Sequence, residues 1–210
     1  MFPFHELSDD LVTVCVPRGY RVLFSRASKA LRTRFARLRL PVLLRVMIRN
    51  QDLPARLAHM SHMFRIESLD FSLVNLTKAL LRAFAAHKRM DWSNLHTLIL
   101  GYDDTHSASR QMGADHGPEV AAWLRRCSAL TTTDAVSRTH LHPDVWAAVR
   151  HCESLFLHRL NADKVKTVDL YKISDNLASC TRLTALNLSN NRLLNIDVVD
   201  ILAPALDGNS

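Results

Sequence analysis

Between Cys180 and Leu194 the chain reads CTRLTALNLSNNRLL, with leucines at 183, 186, 188 and 193 and an asparagine at 191. Neither the 3.6-residue period of a helix nor plain alternation produces that set. It predicts a short strand, apolar at its first, fourth and sixth positions when Leu183 is the first. Fainter copies stand upstream at Ile66-Leu69-Phe71, Leu95-Leu98-Leu100, Leu130-Thr133-Ala135 and Leu155-His158-Leu160. Only Thr133 and His158 break the apolar set, in a chain that is 48% hydrophobic overall. The fourth copy also fits a second register, Cys152-Leu155-Leu157. The copies start 25 to 35 residues apart, a spacing used by stacked strand-plus-helix repeats.

A second pattern precedes each strand. Three residues before the window starts stand Met63, Trp92, Cys127, Cys152 and Cys180, and three earlier again Met60, Arg89, Leu124, Val149 and Leu177. Such i, i+3 spacing is one face of a helix arriving at the strand. GPEVAAWLRRCSAL (Gly117–Leu130) and HPDVWAAVRHCESL (His142–Leu155) superpose without a gap. Pro118 and Pro143 then fall in a first helical turn, where proline is tolerated, beside Glu119 and Asp144, which suit the helix dipole.

The first sixty residues lack this pattern. Ser8 reads as an N-cap with Asp9 and Asp10 in the first turn. Pro17-Arg18-Gly19 breaks the chain, and Leu23, Ala27, Leu31 and Phe35 line one side of a helix over Tyr20 to about Leu38. Leu40–Ile48 reads equally as a further helix or as a first strand.

Charge sharpens this division. The chain carries 27 Lys+Arg against 20 Asp+Glu, a net +7. The excess sits at the front, where ten basic residues and no acidic one lie between Leu11 and Gln51. Such a segment, 18–49, suits nucleic acid, an anionic surface or an acidic protein, or forms the solvated face of amphipathic helices. No apolar run approaches the ~18–20 residues that cross a bilayer, so no membrane partner is expected. Four cysteines without a C-x-x-C pair point to free thiols and an intracellular, cytoplasmic setting, with the nucleus as an alternative.

Chemistry is sparse. Cys127, Cys152 and Cys180 would stack near one another, but Met63 and Trp92 fill the same register elsewhere, so they read as core rather than as a metal or redox cluster. His59/His62 and His140/His142 have ligand-like spacing without the companions of a zinc site. No phosphate-binding loop or nucleophile elbow is present. No metal, cofactor or catalytic residue is expected.

The motif met in full by Leu183, Leu186, Leu188, Asn191 and Leu193 resembles that of leucine-rich repeat proteins, nearest the ribonuclease-inhibitor-like type. The resemblance implies an α/β solenoid of about five repeats over residues 57–210, with parallel strands on a concave face and the asparagine satisfying backbone groups where the chain leaves the strand. It also implies a protein partner held by the strand residues that face away from the core. These are Glu67, Ser68 and Asp70; His96, Thr97, Ile99 and Tyr102; Thr131, Thr132 and Asp134; Phe156, Leu157 and Arg159; and Thr184, Ala185 and Asn187. Residues 1–56 form a small basic helical cap that resembles an F-box through Leu7, Asp10, Leu11, Leu23, Ser28, Lys29, Leu31 and Arg32. Ser8 stands where that family has proline. An F-box would bind the adaptor of a cullin-type ubiquitin ligase, with Leu7, Asp10, Leu11, Leu23 and Leu31 as contacts. A plain cap would only seal the first repeat, and an RNA-associated subunit would use the basic segment instead. The last repeat, ending in LDGNS, is expected to be uncapped, as in a fragment or an end that pairs with another chain.

Overall fold

The computed structural model describes the backbone of residues 41–45, and residues 53–72, 74, 76–101, 112–139, 141–157, 167–189, 191, 193 and 198–207. The helices expected over the first forty residues, including Leu7, Asp10, Leu11, Leu23 and Leu31, lie outside them, as do Tyr102 and Arg159.

The protein is mixed α/β with one all-parallel sheet. Its six strands are β1 (Pro41–Arg45), β2 (Arg65–Asp70), β3 (Thr97–Ile99), β4 (Thr132–Thr133), β5 (Ser154–Phe156) and β6 (Ala185–Asn187), and they pair in chain order. Of the two readings open for Leu40–Ile48, the strand is the one formed, so the sheet begins ahead of residue 57. Parallel neighbours need a crossover, and helices supply it. They are α1 (Leu53–Met63), α2 (Lys78–Ala86), α3 (Gly117–Leu124), α4 (Ala135–Arg138), α5 (Pro143–Val149), α6 (Thr167–Leu177) and α7 (Ala203–Asp207). α1 packs on α2, α2 on α3, α3 on α5 and α6 on α7, so the helices stack in sequence as the strands do.

The helices begin where their residues dictate. Thr77 caps α2, its hydroxyl accepting from the Leu80 N–H at 3.3 Å, and Leu81 and Phe84 are the buried face. Pro118 and Pro143 occupy first turns, beside Glu119 and Asp144. Gly117, at the start of α3, faces His142, the N-cap of α5, so closely that a Cβ there would stand 2.1 Å from the imidazole. Arg126, just past α3, reaches back to α2. Its guanidinium donates to the carbonyls of Phe84 and Ala85 at 3.0 and 2.8 Å, and to those of His87 and Met90 at 3.1 Å each. That places a positive charge on orphan carbonyls at a helix C-terminus, where the dipole favours it.

The apolar positions read from the sequence are the core. Ile66, Leu69, Phe71, Leu95, Leu98, Leu100, Leu130 and Ala135 are buried, and so is Thr133, the polar exception. Thr133 stays satisfied because its hydroxyl accepts from the Ala135 N–H at 3.1 Å. Phe71, Phe84, Trp92 and Trp123 form an aromatic cluster with ring centroids 4.8–6.3 Å apart. Tilted and edge-on contacts of this kind add to simple burial.

The fourth copy adopts the second register. Leu155 lies opposite Thr133 and Leu186, the fourth-position residues of its neighbours. Cys152 is therefore its first position and Leu157 its sixth, all three buried, which corrects the window starting at Leu155. One repeated hydrogen bond fixes the phase. The first-position N–H bonds the carbonyl three residues back in Leu95→Trp92, Leu130→Cys127, Cys152→Val149 and Leu183→Cys180. The gapless match of the two helical segments misled because α5 meets its strand three residues sooner. Leu157, expected to face outward, is core.

Leu157→Asp is expected to cost more than about 3 kcal/mol, because an unpaired carboxylate would be buried. Chemical denaturation measures it. A variant as stable as the parent would restore the other register.

Candidate functional site: the open strand face

Core positions one, four and six leave positions two, three and five of each strand directed away from the helices. Strand pairing aligns them into rows running across the sheet. Ser68, Thr97, Thr132, Ser154 and Ala185 are mutual partners in the third-position row. Glu67, His96, Thr131, Glu153 and Thr184 form the second-position row. Asp70, Ile99, Phe156 and Asn187 occupy the fifth. Because parallel strands lie about 4.8 Å apart, a row presents one side chain per strand at that interval.

The second-position row is knitted by its own backbone. The Glu67 carbonyl accepts from the His96 N–H. The carbonyls of His96, Thr131 and Glu153 each accept two N–H groups from the next strand, at 2.8–3.0 Å. The hydroxyls of Thr131 and Thr184 donate to those same carbonyls, of His96 and Glu153, at 3.1 Å. Glu67 pairs with Arg65 at 2.9 Å, and Glu153 pairs with Arg182. Such exposed pairs are worth at most about 1 kcal/mol each and mainly orient their carboxylates. His96 is exposed, and its Nδ1 lies 3.0 Å from the Ala129 carbonyl. A carbonyl only accepts, so Nδ1 carries the proton and Nε2 is left as an acceptor.

At the fifth position the side chains serve the chain's exit from the strand. Asp70 accepts from the Ser72 N–H at 2.8 Å, and Asn187 from the Ser189 N–H at 2.9 Å. Ile99 and Phe156 are half-buried and supply apolar surface between them. The motif asparagine behaves as the resemblance implied: the Asn191 amide donates to the Leu157 and Leu188 carbonyls at 2.6 and 2.8 Å.

Asp134 is a correction. Expected on the open face, it is buried. Its carboxylate accepts from the Leu100 N–H at 2.7 Å, the Gly101 N–H at 3.0 Å and Arg138 Nε at 3.2 Å. At the equivalent step elsewhere, the Phe71 and Leu157 N–H groups bond the next strand's carbonyls, of Ile99 and Asn187. Between β3 and β4 the chain turns into α4 one residue early, and the Asp134 side chain takes over that ladder bond. Gly101 allows the junction: its φ is +77°, and a Cβ would stand 1.9 Å from Ser72 Cα. Arg138, in the slot that Asn191 fills later, is the counter-charge.

Glu67, Asp70, His96, Ile99, Phe156 and Asn187 thus belong to the open face, while Glu153 and Ser154 replace Leu157 and the Arg159 position. Sequence reasoning missed those two because of the register error; the Cys152-Leu155-Leu157 spacing was the signal that identified them.

The cysteines are buried and free, and the thiols of Cys152 and Cys127 point at the carbonyls of Leu130 and Trp123, each at 3.6 Å. Burial pushes both thiols up from 9.0 to about 12. His142 serves as a helix cap, its Nδ1 accepting from the Asp144 N–H at 3.2 Å. Among the described residues no group of three His, Cys, Asp or Glu is arranged to hold a metal ion, and no helix is long and apolar enough to cross a membrane.

Asp134→Ala is expected to lower stability by about 3–5 kcal/mol by stranding Arg138, and adding Arg138→Met is expected to recover part of it. Denaturant titration of the four proteins in this cycle gives both quantities. For the thiols, the folded pKa lies above the unfolded one. Their contribution is therefore complete below pH 9 and is lost as pH rises toward about 12. Melting profiles across that window should fall more gently in a Cys127→Ala, Cys152→Ala protein.

Compared with known proteins, the chain matches no family model and no curated protein sequence.

Proposed function

We propose that this chain is a leucine-rich repeat solenoid that acts as a non-catalytic protein-recognition module, holding a protein partner on its open strand face. The observation that carries this is the split within each strand. Positions one, four and six are spent on the core, while positions two, three and five line up in rows that touch no other part of the described chain except through local turns and ion pairs. A surface of in-register hydroxyls, one imidazole with a fixed tautomer and two half-buried apolar side chains suits the mixed chemistry of a protein interface. It lacks the paired proton donor and acceptor that a hydrolytic centre needs.

In the specific form of this proposal the F-box-like segment grips a cullin-ligase adaptor through Leu7, Asp10, Leu11, Leu23 and Leu31, and the strand face selects the protein to be modified. The motif residues support it, since the segment precedes the repeats as a docking module would.

The test is to place a photo-crosslinking residue at Thr97 or Ser154 in the full chain, identify the protein captured, and measure its affinity. His96→Ala, Ile99→Asp and Phe156→Asp should each weaken binding by about tenfold or more, with melting temperature held. Leu11→Asp or Leu31→Asp should abolish adaptor capture and leave face binding intact. If face variants bind the captured protein as tightly as the parent, the recognition proposal fails. If capture instead yields RNA whose affinity falls steeply with salt and depends on Arg32, Arg34, Arg37 and Arg39, the basic segment is the working surface.

A further inference from the structure

Among the described residues the sheet ends at β6, and this edge differs from every interior one. The interior first, fourth and sixth positions are almost completely buried, as in Cys152, Leu155 and Leu157. Their counterparts Leu183, Leu186 and Leu188 are only partly buried against the core. The backbone is open as well. Ala185 N–H bonds the Glu153 carbonyl and the Asn187 carbonyl accepts from Leu157, so these two residues face β5. Strand alternation then turns Leu186 N–H and C=O outward. The interior copies show what else is exposed. Second-position carbonyls accept from the next strand, and sixth-position N–H groups of Phe71 and Leu157 donate to it. Thr184 C=O and Leu188 N–H are the same groups with no next strand.

From this pattern we infer that the β6 edge pairs with the β6 edge of a second copy of the chain, antiparallel about a two-fold axis at Leu186. The open groups are self-complementary under that operation. Leu186 of each copy exchanges both hydrogen bonds with Leu186 of the other, as a hydrogen-bonded antiparallel pair does. On each flank Leu188 N–H then meets the Thr184 C=O of the second copy. Every open donor finds an open acceptor. The half-buried leucines of both copies lie on the same side of the joined sheet and cover one another.

The residues at this edge do nothing to prevent it. Free edges are ordinarily protected by charge, proline or a bulge. Between Arg182 and Arg192 the chain has no charged residue, proline or glycine, whereas β1 at the opposite edge contains Pro41 and Arg45. A two-fold pairing also closes on itself, so it yields a dimer and not a fibre. This inference stands on the sheet alone and does not depend on what the strand face recognises.

The test uses the full chain. Sedimentation equilibrium should show monomer passing to dimer by tens of micromolar, an order of magnitude suited to edge-driven association. Amide exchange should show Leu186 and Leu188 gaining protection as concentration rises, while Ala185 and Asn187, already bonded to β5, stay protected throughout. A185R with N187R places arginines opposite arginines across the axis, on a face that is exposed, and should hold the chain monomeric at an unchanged melting temperature. A monomer over the whole range overturns the inference. So does a dimer in which Leu186 and Leu188 exchange as they do when dilute, or assembly beyond the dimer. Should the double variant fail to fold, the exchange pattern of the parent decides alone.

Discussion

The second-position carbonyl of each strand holds the molecule together. In β2 through β5 these carbonyls, of Glu67, His96, Thr131 and Glu153, receive the N–H groups with which the following strand begins. A buried peptide group without a partner costs free energy comparable to a lost hydrogen bond. Each unit therefore needs the next unit at a fixed height and phase. The turn that delivers each first-position residue, closed by a bond to the carbonyl three residues back, sets that phase. Side chains then follow, with the core residues on one side and the rows of the open face on the other.

The β3–β4 junction shows how the same demand is met when the chain departs from the pattern. The turn into α4 begins at Asp134, whose φ of −106° and ψ of 8° already lie outside strand geometry. The backbone cannot supply the next acceptor, so a carboxylate does, and a buried Arg138 neutralises it. Breaking such a pair costs far more than the pair contributes over an apolar substitute. The junction is accordingly a point of sensitivity, while nearby hydroxyls such as Thr97 and Thr132 are free to vary.

Face and edge are two consequences of one architecture. An all-parallel sheet packed by helices on one side leaves its other side open, and its last strand keeps a row of backbone groups. The first suits recognition by side chains, and the second suits pairing by main chain. β6 belongs to both, with Asn187 on the face and Leu186 at the edge.

Much of this was legible in the sequence. Apolar residues at positions one, four and six predicted Ile66, Leu69, Phe71, Leu95, Leu98, Leu100 and Leu130 as core, because a strand with one buried side repeats its polarity wherever it recurs. Pro118, Pro143, Glu119 and Asp144 marked helix starts through purely local backbone and dipole effects. The choice between Leu155 and Cys152 as a strand start was not local. Both registers offer apolar residues, and only pairing with Thr133 and Leu186 selects one. Asp134 was equally illegible: an aspartate on a strand reads as exposed until two N–H groups from a neighbouring strand and an arginine four residues on surround it. Polarity along the chain determined which residues had to be buried. Tertiary structure alone decided which polar groups met, because hydrogen-bond partners 30 or more residues apart are brought together only by the stacking of whole units.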